Sequence, residues 1–165
     1  MSGMLIFDVA DATFALSLDL VREVLPLPAL SQPPGLPSLI EGFFNLRGQA
    51  VAVLRLDRIL GREGSKPSFY APIILLQARG GLLTLLVDRV RGIVEVNPTT
   101  LRAIPDRDTF NGCITAEFSA DGTSVLLLAF DRVLLEEEQQ SLVEHQAAAA
   151  RRLTALNQDA AEATE

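Results

Sequence analysis

The chain has 165 residues, 48% of them hydrophobic, with a mean hydropathy of +0.28, a net charge of −7 and a pI near 4.7. That apolar share supports a sizeable core and excludes disorder for most of the length, and the length fits one domain or two small packed subdomains. The acidic balance opposes the counterion release that drives nonspecific nucleic-acid binding, so nucleic acid is not an expected partner.

The longest apolar runs, at residues 72–76, 82–87 and 125–130, are far shorter than the roughly 18 residues that a membrane helix needs, and no direct membrane insertion is expected. Residues 1–5 lack the basic and apolar regions of a secretory signal, and the single Cys113 cannot form an internal disulfide. The cytoplasm is the expected compartment. Lys66 is the only lysine among the basic residues, which is a matter of composition and says nothing of function.

In chain order, residues 5–9 and 13–18 alternate or run apolar around Ala10-Asp11-Ala12, the signature of a hairpin. Residues 73–77 and 82–87 flank Arg79-Gly80-Gly81 in the same way, with glycines able to take positive φ. After each hairpin the likeness continues: residues 18–24, containing Asp19, resemble residues 87–93, containing Asp88, 69 positions on. Residues 51–60, with Asp57 and Arg58, resemble residues 125–134, with Asp131 and Arg132, 74 positions on.

Two halves of about 65 residues therefore share one strand plan, and each is expected to close its sheet into a small barrel that leaves few exposed edges. Residues 61–72, rich in Gly, Ser, Pro and charge, read as the connector. Each half has an irregular middle: residues 26–37 hold five prolines, and residues 97–111 hold Pro98 and Pro105. From about Asp131 to Ala163 the chain reads as one helix, with Leu135, Leu142, Val143, Ala149, Leu153 and Leu156 on a weakly amphipathic face and four alanines from Ala147 to Ala150. Its first turns are expected to pack on the barrels and its end to fray.

Catalytic constellations are thin. One Cys and one His cannot build a metal site without several converging carboxylates. His145 reads as a solvated helix residue, and Cys113 as a buried structural thiol at the start of a strand. Nucleophile-elbow, phosphate-loop and dinucleotide signatures are absent. Asp19, Asp57, Asp88 and Asp131 recur in both halves, so the shared fold explains them as turn or cap acceptors rather than as paired catalytic acids.

A residue present in only one copy is not demanded by the strand plan. Asn45-Leu46-Arg47-Gly48 stands opposite Ser119-Ala120-Asp121-Gly122, where Asp-Gly is a favoured hairpin turn. Arg47 thus takes the place of an aspartate at an exposed turn, which marks it as a candidate for function. Glu23 is also unrepeated, its counterpart being Gly92. Phe43 and Phe44 are adjacent, so in an extended segment one packs inward and the other under a loop or a partner.

These residues resemble the coupling proteins of bacterial chemotaxis, the CheW-like family, which also includes the regulatory domain of the CheA histidine kinase. The similarity covers about residues 4–135, including Val21-Arg22-Glu23-Val24, Leu36-Pro37, Ile40-Glu41-Gly42, Asn45-Leu46-Arg47-Gly48, residues 53–57 and residues 86–90. The resemblance implies a mostly β fold of two five-stranded SH3-like barrel subdomains, from sequence halves at about 1–66 and 70–135. A helical C-terminal tail at 136–165 comes after them.

It implies no catalysis, metal or cofactor. It implies instead an adaptor that links the cytoplasmic tip of methyl-accepting chemoreceptors to the regulatory domain of a CheA-type kinase, recruited to membrane receptor arrays and able to assemble into rings. Val21, Glu23, Gly42 and Arg47 match receptor-facing positions of the family, and Asn45, Leu46 and Gly48 join them as motif members. The tail is longer than the family usually carries, which leaves open a regulator of a non-flagellar pathway such as surface motility or biofilm signalling. A stacking β-barrel that binds nucleic acid is opposed by 5% aromatic content and the acidic charge. A carboxylate-dependent hydrolase would need two unrepeated acids in one pocket.

Overall fold

A computed structural model describes residues 1–61, 70–78, 81–105, 113–132 and 136–163. Most of the connector expected at 61–72, residues 79–80 of the second turn, residues 106–111 of the second irregular middle and Leu135 lie outside the described residues.

Short apolar or alternating stretches form strands β1 (Ser2–Val9), β2 (Ala12–Ser17), β3 (Val21–Pro26), β4 (Ile40–Leu46) and β5 (Gln49–Arg55), then a one-turn helix α1 (Leu56–Ile59). The second half supplies β6 (Pro72–Ala78), β7 (Gly81–Leu86), β8 (Arg89–Val96), the two-residue β9 (Arg102–Ala103), β10 (Ile114–Ala120) and β11 (Thr123–Leu128). A long helix α2 (Glu136–Ala163) ends the chain.

The strands make a five-stranded sheet in the order β3-β6-β7-β5-β4 and a six-stranded sheet in the order β8-β1-β2-β11-β10-β9. Apart from β9 the two orders are the same plan. Each has a central antiparallel hairpin joined by a parallel pairing to the next strand, β7 to β5 and β2 to β11. Even the irregularities recur: Arg22 and Arg91 are the extra residues in β3 and β8, and Glu41 and Thr115 those in β4 and β10. The repeat is therefore real at the level of whole sheets.

The sheets do not divide as the halves do. Each takes its central hairpin from the opposite half: β1 and β2 lie among second-half strands, and β6 and β7 among first-half strands. The reason is visible in the connections. Only residues 18–20 separate β2 from β3, and only Val87 and Asp88 separate β7 from β8, so the chain must pass at once to the facing sheet. Backbone bonds seal both crossings, from Gln77 N–H to the Leu20 carbonyl at 3.1 Å and from Asp88 N–H to the Asp8 carbonyl at 2.9 Å.

Closed barrels are not what forms. Among the described residues β3 and β4 do not pair along their length, nor do β8 and β9. The prolines of residues 26–37 offer no N–H to a ladder, so the segment returning from β3 manages one bridge, Ser31 with Phe43. Side chains complete the closure instead: Leu25, Leu27, Leu30 and Phe44 pack on Val53, Ala71, Ile73 and Leu86 on the outer face of the five-stranded sheet. Phe43 points the other way into the central cluster, so the two aromatics do face opposite sides.

That central cluster sits between the sheets and unites Leu5, Phe7, Phe14 and Leu16 with Leu54, Ile74, Leu76 and Leu85. Phe7 and Phe14 stack with ring centroids 6.1 Å apart. The six-stranded sheet buries Met4, Ile6, Ala15, Val96, Phe118 and Val125 on its other face. Helix α2 crosses β5 and β4, placing Leu142 and Ala149 in the central cluster, while Gln146 Nε2 donates to the Leu82 carbonyl at 3.4 Å. Val143 and Leu156 remain exposed, so the apolar face expected of this helix narrows to the residues that meet the sheets.

Because the central cluster belongs to both sheets, they should unfold together. Leu54→Ala is expected to cost about 2–5 kcal/mol in denaturant titrations. Far-UV and near-UV circular dichroism, the latter reading the stacked Phe7 and Phe14, should report one coincident transition for the variant, as for the parent.

Candidate protein-binding surface

Strands β4 and β5 are joined by the two-residue turn Arg47-Gly48, between the paired Leu46 and Gln49. Both turn residues have positive φ, 51° and 88°. This is the turn whose twist suits a hairpin and whose first position prefers Asn or Asp. The twin turn between Ala120 and Thr123 has Asp121 and Gly122 at φ 50° and 77°. The backbones match and the residues do not. Arg47 occupies a left-handed conformation that costs an ordinary L-residue roughly 1–2 kcal/mol.

Asn45 stabilises the turn, its Oδ1 accepting the Gly48 N–H at 2.7 Å. Leu46 is half-buried, Asn45 and Gly48 are exposed, and the exposed Arg47 guanidinium makes no hydrogen bond or ion pair with the described residues. Gly42 is different, for it is buried in β4. A Cβ there would lie 2.8 Å from the Ser31 carbonyl oxygen and 2.9 Å from Leu30 Cβ. Its absence lets residues 30–32 lie against the strand, where Ser31 and Phe43 exchange backbone bonds of 2.8 and 2.9 Å. Gly42 is thus a buried seat for residues 30–32.

Val21 and Glu23 lie on β3, at the other edge of the same sheet. One rung of the ladder runs from Glu23 through Leu75, Thr84 and Val53 to Gly42. Four strand spacings separate its ends, roughly 19 Å on a flat sheet. Val21 packs partly buried against the central cluster, and Glu23 is exposed. The structure thus brings five of the seven candidate residues onto one hairpin and places the other two across the sheet from it.

Beneath this hairpin lies a polar cluster that sequence reasoning missed. Arg55, 6% exposed, grips Asp57 with two bonds, Nε to Oδ1 at 2.9 Å and Nη2 to Oδ2 at 2.7 Å, and its Nη1 reaches Glu41 Oε2 at 3.3 Å. The Arg58 N–H donates to the same Asp57 Oδ1 at 2.9 Å. The Arg55 guanidinium is held above its ordinary range, first by its hydrogen bonding to Asp57 and against the pull of burial. The one-copy rule could have found it, since Arg55 faces Ala129 and Glu41 faces Thr115 in the other half.

The remaining chemical side chains have structural surroundings. Burial pushes the Cys113 thiol up, away from the reactive thiolate. Asp88 Oδ2 accepts the Ala10 N–H at 2.7 Å and so holds the β1–β2 turn. Glu117 is held below the usual carboxylate range by the Ser124 hydroxyl and by Arg102. His145 is half-buried on α2. Among the described residues no group of His, Cys, Asp and Glu is arranged to hold a metal, and no helix is long and apolar enough to cross a membrane.

The two-sheet framework holds a strained cation, unpaired among the described residues, at an exposed hairpin tip. Comparison with known proteins gives its family. The family model for the CheW-like domain matches residues 3–138, and the chain belongs to that family.

The chain is 25% identical over 133 residues to the chemotaxis protein CheW of Thermotoga maritima, covering 81% of this chain and 87% of that one. It is 23% identical over 145 residues to the chemotaxis protein CheW of Treponema pallidum, covering 82% and 84%. The crystal structure of the scaffolding protein TtCheW from Thermoanaerobacter tengcongensis has the same fold, with a TM-score of 0.71 at 22% identity over 78% of this chain and 84% of that one. The protein is a non-enzymatic adaptor of chemotaxis signal transduction.

Two substitutions separate the roles of the hairpin residues. Arg47→Asn should raise stability by about 1 kcal/mol in denaturant titration, because Asn tolerates the left-handed turn. Gly42→Ala should lower it by about 1–3 kcal/mol, since the new methyl must displace backbone.

Proposed function

We propose that this adaptor joins the cytoplasmic tip of methyl-accepting chemoreceptors to the regulatory domain of a CheA-type histidine kinase, and that the β4–β5 hairpin with the β3 edge forms its receptor surface. One observation carries the reading: Arg47 is held in a left-handed conformation that its twin turn fills with Asp121. A residue kept where it costs stability points to selection for contact.

In this reading Arg47 and Glu23 fix the register of a receptor helix hairpin, and Val21 and Leu46 supply apolar contact. Asn45 and Gly48 shape the turn, and Gly42 seats the strand. Each sheet with its crossing segment acts as an SH3-like barrel closed by side chains. Residues 1–135 serve as one binding unit, and α2 (Glu136–Ala163) is a helical tail packed on it through Leu142, Gln146 and Ala149. Contacts between like-folded barrels of adaptor and kinase recruit the protein to receptor arrays at the membrane and permit rings.

The test is a titration of the full chain against a receptor cytoplasmic tip from the same organism, comparing the parent with Arg47→Asp, which installs the residue of the twin turn. A loss of tenfold or more in affinity, about 1.4 kcal/mol, with unchanged or higher thermal stability is the expected result. Equal binding by both would remove the surface from this hairpin.

A further inference from the structure

The two sheets repeat each other down to their bulges, so a feature found in one alone stands out. In β10 the bulge residue Thr115 offers its carbonyl to the Ile104 N–H at 3.0 Å and faces no buried ion among the described residues. In β4 the bulge residue is Glu41, and it is held twice. Its carbonyl accepts Gln32 Nε2 at 3.0 Å, and its carboxylate accepts Arg55 Nη1 at 3.3 Å. Arg55 is itself locked by the two bonds to Asp57, while its backbone N–H donates to the Leu39 carbonyl at 2.8 Å. The next residue after Glu41 is Gly42, pressed against residues 30–32 from the other side.

We infer that Arg55 and Glu41 are positioning residues: together they clamp the β4 bulge, and the clamp sets the aim of the hairpin that carries Arg47. A bulge bends its strand and re-aims the segment beyond it. Arg47 stands six positions past Glu41, a lever of roughly 20 Å. A small slip at the base would therefore be large at the tip. Neither residue touches a partner, and both act through the hairpin. A buried ion cluster is weak at adding stability but strict in geometry, which suits the fixing of a direction.

The contact step of this inference rests on the receptor reading above, and the experiment separates the two. The full chain is compared with Glu41→Gln, which keeps the shape and a neutral acceptor, and with Arg55→Lys, which keeps the charge and loses the fork. Each is monitored by amide hydrogen exchange and by titration against the receptor tip. The twin turn serves as the control, because its bulge has no such clamp among the described residues.

The expected result is exchange at least tenfold faster at Leu46 and Gln49, unchanged exchange at Ala120 and Thr123, and about tenfold weaker binding. If Arg55→Lys fails to fold, Glu41→Gln alone decides. Equal acceleration at both turns would mean a merely structural cluster and overturn the inference, as would unchanged exchange at Leu46 and Gln49. A parent chain that binds no receptor tip would overturn the receptor reading. The contrast between the two turns would then still decide whether the clamp exists.

Discussion

Phe7, Phe14 and Leu16 on one sheet meet Leu54, Leu76 and Leu85 on the other across a single apolar layer, and the rest of the molecule is arranged around that contact. Because β1–β2 and β6–β7 are exchanged between the halves, neither half can bury its share of the layer alone. Connections of two and three residues make the exchange obligatory, and they hold the sheets close enough for interdigitation. Both faces of each sheet are covered, one by the shared layer and one by its own small cluster. That is why the strands read as apolar runs as often as they alternate.

On this rigid base the two sheets differ mainly in polar detail. The twin turns have the same backbone, yet one has Asp121 at its left-handed position and the other Arg47. The twin bulges fall at the same rung, yet of the two only Glu41 meets a buried arginine. Internal duplication supplies a reference state within one molecule: whatever the strand plan requires is present twice, and whatever is present once answers to another constraint. Here the single-copy residues Glu41, Arg47 and Arg55 gather on one hairpin and its base, while Glu23 stands at the far edge of the same sheet.

The energetics agree. Burying Arg55, Asp57 and Glu41 yields little net stability, since desolvation offsets much of the Coulombic gain, and holding Arg47 at positive φ costs some. Apolar residues of the same size at those places would leave a sheet at least as stable. The chain keeps ions at the base of one hairpin and strain at its tip, with every buried side-chain polar atom satisfied among the described residues, although neither feature adds net stability.

Much of the architecture was legible in the residues. Period and glycine placement located the hairpins, and the offsets of 69 and 74 positions matched the observed equivalences, down to Arg47 opposite Asp121 and Glu23 opposite Gly92. The C-terminal helix and the buried Cys113 could be read from local composition. The sequence by itself determined the strand plan, its duplication and the odd residue at one turn, because these depend on neighbours along the chain. Only the tertiary structure decided which half lends its hairpin to which sheet, that side chains rather than a full ladder close the sheets, that Gly42 is buried, and that Val21 and Glu23 stand an entire sheet away from Arg47. Those outcomes depend on contacts between segments far apart in sequence, where proline-rich returns lack donors and short crossings dictate which surfaces meet.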